Sequence, residues 1–377
     1  MDVRHRTAPD ERLALLWGAS PRVSAPPHPA ILSVPAADKA RLKVLFLAKH
    51  ALAGGQPDAV DGTHAVYHHE MLTTLRQVGL NVVAANSYEA LFDRPDADFV
   101  VTLLNRGGFV NSEMLAPLLL RRHALPFLGA SPILRGLSDD KHLMKCVAER
   151  RGVPVTPWAI VRQGQSGVPE PAFAWDRLVV KPNASSASWG VRIHDGWAAA
   201  REHAEELLAA GHDVILEAYA PLIDLAVPVV GADGAWLLPS LGYRPPDRPD
   251  EVRSYAEKRN LSGGGDDPLE RVEDAEVAAR LDTHVRALLP ELWPFDYGRF
   301  EFRYDPATGD LRFMEVNLSC NLWSKKTISR SARSIGVSHA ELVETIVAHS
   351  LLRQGVIETV ERPGRAFGRG APEECAA

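Results

Sequence analysis

The sequence predicts a mixed α/β protein with more than one domain, and two patterns within its 377 residues support this. From about residue 41 to 135, short apolar runs alternate with segments of helical spacing, as in an open, mostly parallel sheet. Beyond about residue 217, apolar and polar residues alternate in paired runs, as in antiparallel hairpins. A chain of this length can bury more than one core, so two or three domains are expected.

The first predicted domain, residues 41–135, is a series of strand and helix units. "KVLFLA" suits a strand covered on both faces, and "VYHHEMLTTLRQVGL" follows it with helical spacing. "NVVAAN", "DFVVTLL" and "LPFLGA" continue the series, with helical "SEMLAPLLLRRH" between the last two. The "LAGGQPD" stretch after the first strand lacks the G-x-G-x-x-G motif of a dinucleotide site.

Both ends of the chain are predicted to lie outside the packed domains. Residues 1–40 are rich in Pro, Ala and Ser without a sustained period, which predicts a leader that is loosely packed or partly disordered. Residues 356–377 are predicted to be a flexible tail for the same reason. No run reaches the roughly 20 apolar residues of a membrane-spanning helix, so a cytoplasmic protein without a membrane partner is expected.

Charge and cysteine content exclude two classes of protein. The formal net charge of −6 leaves no excess of Lys and Arg for a phosphate backbone, so we expect no nucleic-acid partner. Cys146, Cys320 and Cys375 are an odd number on a long chain, which favours a reducing compartment over a disulfide framework. Cys320 could be a nucleophile, but no His can be tied to it, so a buried thiol is preferred.

The next segment, residues 136–216, contains two lysines at the ends of predicted elements. Lys141 in "DDK" lies near the start of a helix that ends at Gly152, and Lys181 ends the strand "RLVVKP". The loop "ASSASWG" then offers backbone N–H groups that can fold over phosphates. Loop composition alone favours a plain hairpin, whereas the lysine at the strand end favours a phosphate site.

Residues 217–355 contain further strands and helices, followed by an unusual hairpin. Glu217 lies on a strand, with Asp224 seven residues later, and "YAEKRNLSGGG" has the composition of a mobile loop. Helix periodicity places one set of apolar residues on a common face: Val277, Leu281, Val285 and Leu288. The last helix begins with the capping-box pattern of Ser338 and Glu341.

In the hairpin, "RFEFRYD" and "LRFMEV" flank the loop "PATGD". If it is symmetric about Thr308, Glu301 lies opposite Glu315 and Arg299 opposite Asn317, all on one face. Opposed like charges destabilise a sheet by up to about 1 kcal/mol unless a cation lies between them. These oxygen ligands suit Mg²⁺. The alternative is a solvated face on which Glu and Arg alternate.

These residues, in this order, resemble the ATP-grasp superfamily, and within it the D-alanine–D-alanine ligases, over roughly residues 41–352. The resemblance implies an ATP-grasp fold: an N-terminal parallel α/β domain, a small central domain over the nucleotide and a C-terminal antiparallel-sheet domain. It also implies a reaction in which a carboxylate attacks the γ-phosphate of ATP and an amine displaces phosphate from the acyl phosphate. The substrates would be small molecules, and homodimers are common in this family.

The resemblance assigns roles to individual residues. It implies phosphate contacts from Lys141, Lys181 and the flap serines, adenine and ribose contacts near Glu217 and Asp224, and two Mg²⁺ ions, with Mn²⁺ as the alternative. The implied nucleotide-binding residues are Lys141, Lys181, Ser186, Ser188, Glu217, Ala218, Ala220 and Asp224. The implied metal ligands are Glu301, Glu315 and Asn317, and the implied catalytic positions are Arg299, Lys258 and Asn321.

The sequence departs from the family pattern where the second substrate would bind. Asn321 replaces a glycine, "LSCNLWSKKT" lacks the Pro-Gly and Ser-Leu pairs, and "NRGG" replaces the first-domain "HG". Arg259, Lys325 and Lys326 are candidate ligands for an extra anionic group on the substrate, or they face solvent. These departures predict a ligase outside cell-wall D-alanyl-D-alanine synthesis. The alternatives are an ATP-binding sensor or partner subunit without turnover, or a kinase that stops at a phosphorylated acid.

Overall fold

The computed structural model describes residues 9–17, 31–57, 60–104, 111–185, 189–220, 223–231, 234–243 and 269–363. Its helices are α1 (Pro9–Leu16), α2 (Ala36–Arg41), α3 (His64–Gln77), α4 (Leu115–Arg122), α5 (Pro132–Asp139), α6 (Lys141–Arg150), α7 (Trp197–Ala209), α8 (Ala275–Leu292), α9 (Thr327–Ser334) and α10 (His339–Arg353). Its strands are β1 (Lys43–Leu47), β2 (Asn81–Ala85), β3 (Phe99–Thr102), β4 (Trp158–Val161), β5 (Leu178–Pro182), β6 (Arg192–His194), β7 (Val214–Ala218), β8 (Ile223–Val230), β9 (Trp236–Leu237), β10 (Leu241–Tyr243), β11 (Leu269–Arg271), β12 (Tyr297–Tyr304) and β13 (Leu311–Asn317).

The first sheet is parallel, with strand order β2–β1–β3. Strands β1 and β3 are buried almost throughout, whereas the edge strand β2 is partly exposed. Helix α3 packs on the sheet and buries Met71 and Leu75 in the same core as Val44 and Phe46. The parallel sheet predicted from the spacing of apolar runs is therefore confirmed. "LPFLGA" differs from its prediction, since it contributes only a parallel bridge between Phe127 and Val100.

The second sheet is antiparallel, with strand order β4–β7–β5–β6, and α7 packs on it. Pairing between β5 and β7 sets Val179 opposite Glu217 and Lys181 opposite Ile215. Lys181 and Glu217 are therefore diagonal neighbours on adjacent strands, close enough for long side chains to meet.

The third sheet has six strands, ordered β11–β10–β8–β12–β13 with β9 paired to β8. Helix α8 covers it with the face that its periodicity predicts, because Val277, Leu281, Val285 and Leu288 are all buried in the core under this sheet. The capping box of Ser338 and Glu341 at the start of α10 is also confirmed. Among the described helices, none combines the length and apolar character needed to cross a membrane.

Strands β12 and β13 form the hairpin expected from the sequence. Arg299 pairs with Asn317 and Glu301 with Glu315, so the predicted register is confirmed. The register then shifts, with Phe302 opposite Phe313, and Met314 is the extra residue of a β-bulge. The bulge reverses the alternation of β13: Phe313 is buried before it and Val316 after it. Without that reversal, Glu315 would lie on the same face as Phe313 and point into the core.

Part of the predicted leader packs on the body of the protein. Leu32 and Val34 are buried, and Leu32 N–H donates to Thr345 Oγ1 of α10 at 3.1 Å. Ser33 pairs with Glu361, a residue of the predicted tail, in an antiparallel bridge. Loose packing was therefore the wrong expectation for this stretch. Helix α1 also packs, since Leu16 is fully buried in the core of the third sheet.

A buried carboxylate ties the start of β12 to the rest of the fold. Asp296 is fully buried and accepts hydrogen bonds from Gly129 N–H and Ser350 Oγ, both at 2.6 Å. Arg353 of α10 donates to its other oxygen from Nε at 3.0 Å and Nη2 at 2.8 Å. Burial raises the pKa of Asp296, although Arg353 opposes this shift. The strand that carries Arg299 and Glu301 is therefore fixed at its origin.

We expect Asp296→Ala to lower the free energy of unfolding by about 3 kcal/mol, because it leaves a partly buried arginine and two buried donors without their acceptor. Urea denaturation followed by circular dichroism measures the change. Asp310→Ala is the control: this half-exposed carboxylate pairs with Arg312 at the hairpin turn, and its loss costs less than about 1 kcal/mol. Equal effects of the two substitutions would show that Asp296 does not anchor the strand.

Candidate active site

One open cleft, of about 1330 Å³ counted to its mouth, brings most of the predicted site residues together. It lies between the second and third sheets and is closed at one end by α5, α6 and a residue of the first domain. Its lining includes Lys141, Lys181, Glu217, Ala218, Ala220, Asp224, Arg299, Glu301, Glu315 and Asn317. These residues come from segments scattered over the sequence, so the fold alone makes them neighbours.

The open face of the β12–β13 hairpin forms one wall of the cleft. Arg299 donates to Glu301 Oε1 from Nε at 2.8 Å and also through Nη2. Lys141 Nζ lies 3.4 Å from Glu315 Oε2. Each of the opposed carboxylates therefore has its own cation, and these cations offset the repulsion that the pairing would otherwise produce. Burial disfavours the charge of Arg299, but Glu301 raises the pKa of its guanidinium above the ordinary value.

The same face offers oxygen ligands that fit a hard divalent cation. The Glu301 and Glu315 carboxylates and the Asn317 amide share one open side of the hairpin, and Asn317 Oδ1 is oriented by the Ser319 N–H at 2.9 Å. Mg²⁺ prefers such oxygens and keeps coordination positions for water and phosphate. Among the described residues, no group of three or more His, Cys, Asp or Glu side chains is placed to hold a metal. The candidate metal ligands instead combine the two carboxylates of Glu301 and Glu315 with the amide of Asn317.

Glu217 is the centre of a buried charged network in the second sheet. Lys145 of α6 donates to Glu217 Oε1 at 2.7 Å and to Thr156 Oγ1 at 3.0 Å, and Thr156 also donates to Glu217. Lys181 pairs with the second oxygen, Oε2. Lys145 and Glu217 are almost completely buried. The two lysines and the hydroxyl thus hold Glu217 in one orientation at the wall of the cleft.

These lysines keep Glu217 ionised. Burial alone would raise the pKa of Glu217, but Lys145 and Lys181 together lower it from 4.5 to about 2. The carboxylate therefore stabilises the fold above pH 4.5, and this stabilisation is lost as the pH falls toward 2. Burial has the opposite effect on Lys145 and lowers its pKa, although Glu217 works against this. Glu217 is therefore ionised at neutral pH, where its carboxylate can accept hydrogen bonds but cannot donate one.

At the same end of the cleft, Arg303 organises Asp224. Arg303 Nε donates to Asp224 Oδ1 at 2.9 Å, and its Nη1 donates to the Ala220 carbonyl oxygen, also at 2.9 Å. Arg303 lies opposite Asp224 in the register of β12 and β8. The connection between β7 and β8 is therefore tied to the hairpin that carries the metal-ligand candidates.

Lys141 links the helix α6 to the loop after β5. Its ammonium donates to the Ser185 carbonyl oxygen at 2.8 Å and is mostly buried. Asp140 caps α6 by accepting from Leu143 N–H at 2.8 Å, which explains why the helix begins at Lys141. Ser186 and Ser188 of the predicted flap lie outside the described residues, as do Lys258 and Arg259.

The segment from Asn321 to Lys326 lies beyond the described lining of the cleft and packs on α3. Asn321 Oδ1 accepts from Trp323 N–H at 2.8 Å, so its side chain closes a local turn. Lys325 Nζ lies over the Trp323 ring at 5.8 Å, and Lys326 precedes α9 as its N-cap residue. A substrate contact from these three residues stays a prediction.

Cys320 behaves as the buried thiol that the sequence favoured. It is 2% exposed, and burial raises the pKa of its thiol to about 12. A thiol that stays protonated at neutral pH is a poor nucleophile. Cys375 lies outside the described residues, and Cys146 is exposed on α6.

Sequence reasoning missed Lys145, Arg303 and Glu113, which also line or support the cleft. Lys145 follows Lys141 by one helical turn and therefore lies on the same face of α6, a signal that could have identified it. Arg303 continues the alternation of Arg299 and Glu301 on β12, which placed it on the open face. Glu113 gave no signal, because it lies in the first domain at the start of an ordinary helical pattern.

Comparisons with known proteins agree with this geometry. No protein-family profile matches the chain. The uncharacterized protein y4sG of Sinorhizobium fredii is 24% identical over 266 residues, which is 67% of this chain and 71% of that protein. The D-alanine–D-alanine ligase of Desulfovibrio desulfuricans is 24% identical over 258 residues, 65% of this chain and 78% of the relative. The corresponding ligase of a Marinomonas species is 22% identical over 283 residues, 73% and 87% of the two chains.

Solved structures give the same result. The D-alanine–D-alanine ligase of Bacillus anthracis complexed with ATP has a TM-score of 0.62 at 18% identity, covering 84% of this chain and 99% of that one. D-alanyl-alanine synthetase A of Vibrio cholerae has a TM-score of 0.65 at 15% identity, covering 82% and 98%. Homologues and structural neighbours of this chain thus include D-alanine–D-alanine ligases, which belong to the ATP-grasp superfamily. The predicted ATP-grasp fold is confirmed.

The buried network predicts the effect of removing Lys145. We expect Lys145→Met, which keeps length and burial, to weaken ATP binding about tenfold and to lower the free energy of unfolding by about 3 kcal/mol, because Glu217 loses a charge partner where no water can replace it. Isothermal titration with ATP and urea denaturation measure the two effects.

Lys43→Met is the matched control, since Lys43 forms an ion pair with the exposed Asp96 far from the cleft. Its loss changes stability by less than about 1 kcal/mol and leaves ATP affinity unchanged. ATP binding of normal strength in Lys145→Met would show that Glu217 needs only Lys181.

Proposed function

We propose that the protein is an ATP-dependent, ADP-forming carboxylate–amine ligase that makes an amide bond through an acyl phosphate. One observation carries this proposal: Lys141 and Lys181 line the same cleft as the oxygen set of Glu301, Glu315 and Asn317. Phosphoryl transfer needs cations on phosphate oxygens and little covalent chemistry from the protein. The names of the relatives and structural neighbours support the same reaction class.

Glu217, Ala218, Ala220 and Asp224 form the proposed nucleotide end of the cleft. An ionised Glu217 accepts a hydrogen bond from the amino group of adenine, which discriminates against a base with a carbonyl at that position. Asp224, oriented by Arg303, accepts from the ribose hydroxyls. Ala218 and Ala220 supply backbone atoms to the same segment, and small side chains there leave room for the base.

The phosphates lie between the two lysines and the hairpin face in this proposal. Lys141 and Lys181 neutralise phosphate oxygens, and Ser186 and Ser188 of the flap contribute hydroxyl and backbone donors. Two Mg²⁺ ions, or Mn²⁺, held by Glu301, Glu315 and Asn317 would supply further charge neutralisation on the transferring group. Lys258 adds a cation from the loop that closes over the site and excludes water.

The second half of the reaction takes place at the Arg299 end. The first substrate's carboxylate oxygen bonds to the γ-phosphorus as ADP leaves, which gives the acyl phosphate. The amine then attacks the acyl carbon, and Arg299 stabilises the oxyanion that forms there. The proposal adds the backbone N–H of Asn321 as a second donor to this oxyanion, a role that the resemblance implies.

The second substrate is proposed to differ from D-alanine. Lys325 and Lys326 follow Asn321 in the sequence, and Arg259 follows Lys258; these three cations would suit an acceptor or donor with an additional anionic group. This supports a role outside cell-wall D-alanyl-D-alanine synthesis. We further propose a cytoplasmic location, where ATP is available, and a homodimer, as the resemblance to the ATP-grasp ligases implies.

Turnover of Mg-ATP tests the reaction class. Wild-type protein is incubated with pairs of carboxylates and amino acids, ADP release is followed by a coupled assay, and products are weighed by mass spectrometry. We expect ADP and a condensed product for at least one pair.

Glu315→Gln and Lys181→Ala each lower the rate by at least about 100-fold without unfolding the protein, because each removes charge that the transition state needs.

Glu291→Gln serves as the matched control, because Glu291 lies half exposed at the end of α8 and pairs with Arg151. This variant keeps wild-type turnover. Near-normal rates for Glu315→Gln or Lys181→Ala would mean that the phosphates bind elsewhere. ATP binding without ADP release on any pair would favour the sensor or partner-subunit alternative, and a phosphorylated acid as the end product would favour a kinase.

A further inference from the structure

Arg299 and Glu301 are bonded to each other on the open face of the hairpin, although the proposed function gives them separate tasks. Arg299 Nε donates to Glu301 Oε1 at 2.8 Å, and Nη2 donates to the same oxygen. The proposed function assigns Glu301 to a metal ion and Arg299 to the oxyanion of the second half-reaction. A guanidinium held by Glu301 is not available to an oxyanion, and it brings a positive charge to a metal ligand.

The charges on this face leave little net attraction for a divalent cation. Glu301 and Glu315 contribute two negative charges, and their partners Arg299 and Lys141 contribute two positive ones, so the four side chains are neutral together. Cations at such short range repel a metal ion, and the repulsion is stronger where water is partly excluded. Strong metal binding therefore requires that one of the two cations moves away or that phosphates add negative charge.

Of the two cations, Arg299 is the one that can leave its carboxylate. The Lys141 side chain is 9% exposed and also donates to the Ser185 carbonyl oxygen at 2.8 Å, which ties it to the loop after β5. The Arg299 side chain is 21% exposed, and its described hydrogen bonds all go to Glu301. Because its two nitrogens share one carboxylate oxygen, displacement from that oxygen frees the whole guanidinium.

The backbone beneath Arg299 does not take part in such a movement. Strand β12 lies between β8 and β13, with Arg299 opposite Pro228 on one side and Asn317 on the other. The buried Asp296 fixes the start of the strand. Loss of the contact with Glu301 therefore changes the rotamer of Arg299, and the side chain turns within the cleft that it already lines.

We propose that Arg299 and the metal ion compete for Glu301, so that Arg299 is released into the cleft when metal and nucleotide bind together. This inference rests on the proposed function, which supplies both the metal and the oxyanion. The nucleotide phosphates provide the negative charge that the neutral face lacks, and the metal then replaces Arg299 at Glu301. Metal and nucleotide therefore bind cooperatively, and each raises the affinity for the other by the same factor.

Mn²⁺ binding measures this competition without turnover. The purified full-length protein is titrated with Mn²⁺ alone, and the free ion is followed by electron paramagnetic resonance. We expect Arg299→Met to bind Mn²⁺ about tenfold more tightly than the wild type, because Glu301 loses its fixed cation. Isothermal titration of a non-hydrolysable ATP analogue, with and without Mn²⁺, measures the cooperativity. The factor by which Mn²⁺ raises affinity for the analogue is about tenfold smaller in Arg299→Met.

Turnover changes in the opposite direction. Arg299→Met lowers ADP release by at least about 100-fold although it binds Mn²⁺ more tightly, because the oxyanion loses its cation. Arg299→Lys keeps the positive charge, and its Mn²⁺ affinity stays within about threefold of the wild type. Arg312→Met is the matched control, since Arg312 lies on the same hairpin and pairs with Asp310 at the turn. This control keeps both the Mn²⁺ affinity and the turnover of the wild type.

Mn²⁺ binding that is unchanged or weaker in Arg299→Met overturns the proposal, and weaker binding means that Arg299 orients Glu301 as a metal ligand. Arg299→Gln, which keeps a polar side chain, decides the matter if circular dichroism shows that the methionine variant folds poorly. Glu301→Gln tests the metal assignment separately. Normal Mn²⁺ binding in this variant contradicts the metal face of the proposed function. Loss of Mn²⁺ binding there, without a gain in Arg299→Met, contradicts the competition alone.

Discussion

Two glutamates placed directly opposite each other on a hairpin are the constraint around which the site is built. Phe300, Phe302, Phe313 and Val316 are buried on the other face, so the hairpin cannot turn its carboxylates away from each other. Their repulsion must be offset by cations. Arg299 lies beside Glu301, and Lys141 reaches Glu315 from helix α6. A fold that buries these residues therefore creates an open face with two carboxylates and two cations, which is the face that the proposed function assigns to a metal ion and phosphates.

Helix α6 carries this constraint to the second sheet. Lys141 and Lys145 are one turn apart on the same face, and they reach different sheets: Lys141 contacts Glu315 of the hairpin, and Lys145 contacts Glu217 on β7. Because both contacts are mostly buried, the helix cannot shift toward one sheet without breaking an ion pair in the other. One helical turn of α6, a helix capped by Asp140, separates Lys141 from Lys145. This separation sets the distance between the proposed adenine contact and the proposed metal face.

The sequence predicted those structural features that depend on residues close together along the chain. The hairpin register follows from alternation and loop length, and the face of α8 follows from its period. The bulge at Met314 was not predictable, because a methionine fits either face and only the cleft reveals which way Glu315 points.

Lys145 needs Glu217, 72 residues away, to make its burial tolerable, and Glu113 meets Ser319 across 206 residues. Pairings of this kind depend on domain packing, which composition and periodicity do not encode. The leader is a similar case, since Leu32 is buried only because α10 lies over it.

The two ends of the cleft are constructed differently, and this bears on how such a site changes its substrate. The proposed nucleotide and phosphate contacts come from the second and third sheets with α6. The segment from Asn321 to Lys326 is instead fixed to α3, where Glu70 accepts from Trp323 Nε1, Ser324 N–H and Ser324 Oγ, each at 2.9 Å. A carboxylate with this many donors holds the segment rigidly against α3. Substitutions in α3 or in this segment can reshape the acceptor end while the charges on the hairpin stay in place. If the proposed function holds, the charges used for phosphoryl transfer and the segment near the acceptor can change independently. Such independence would fit a chain that is only 22–24% identical to two D-alanine–D-alanine ligases.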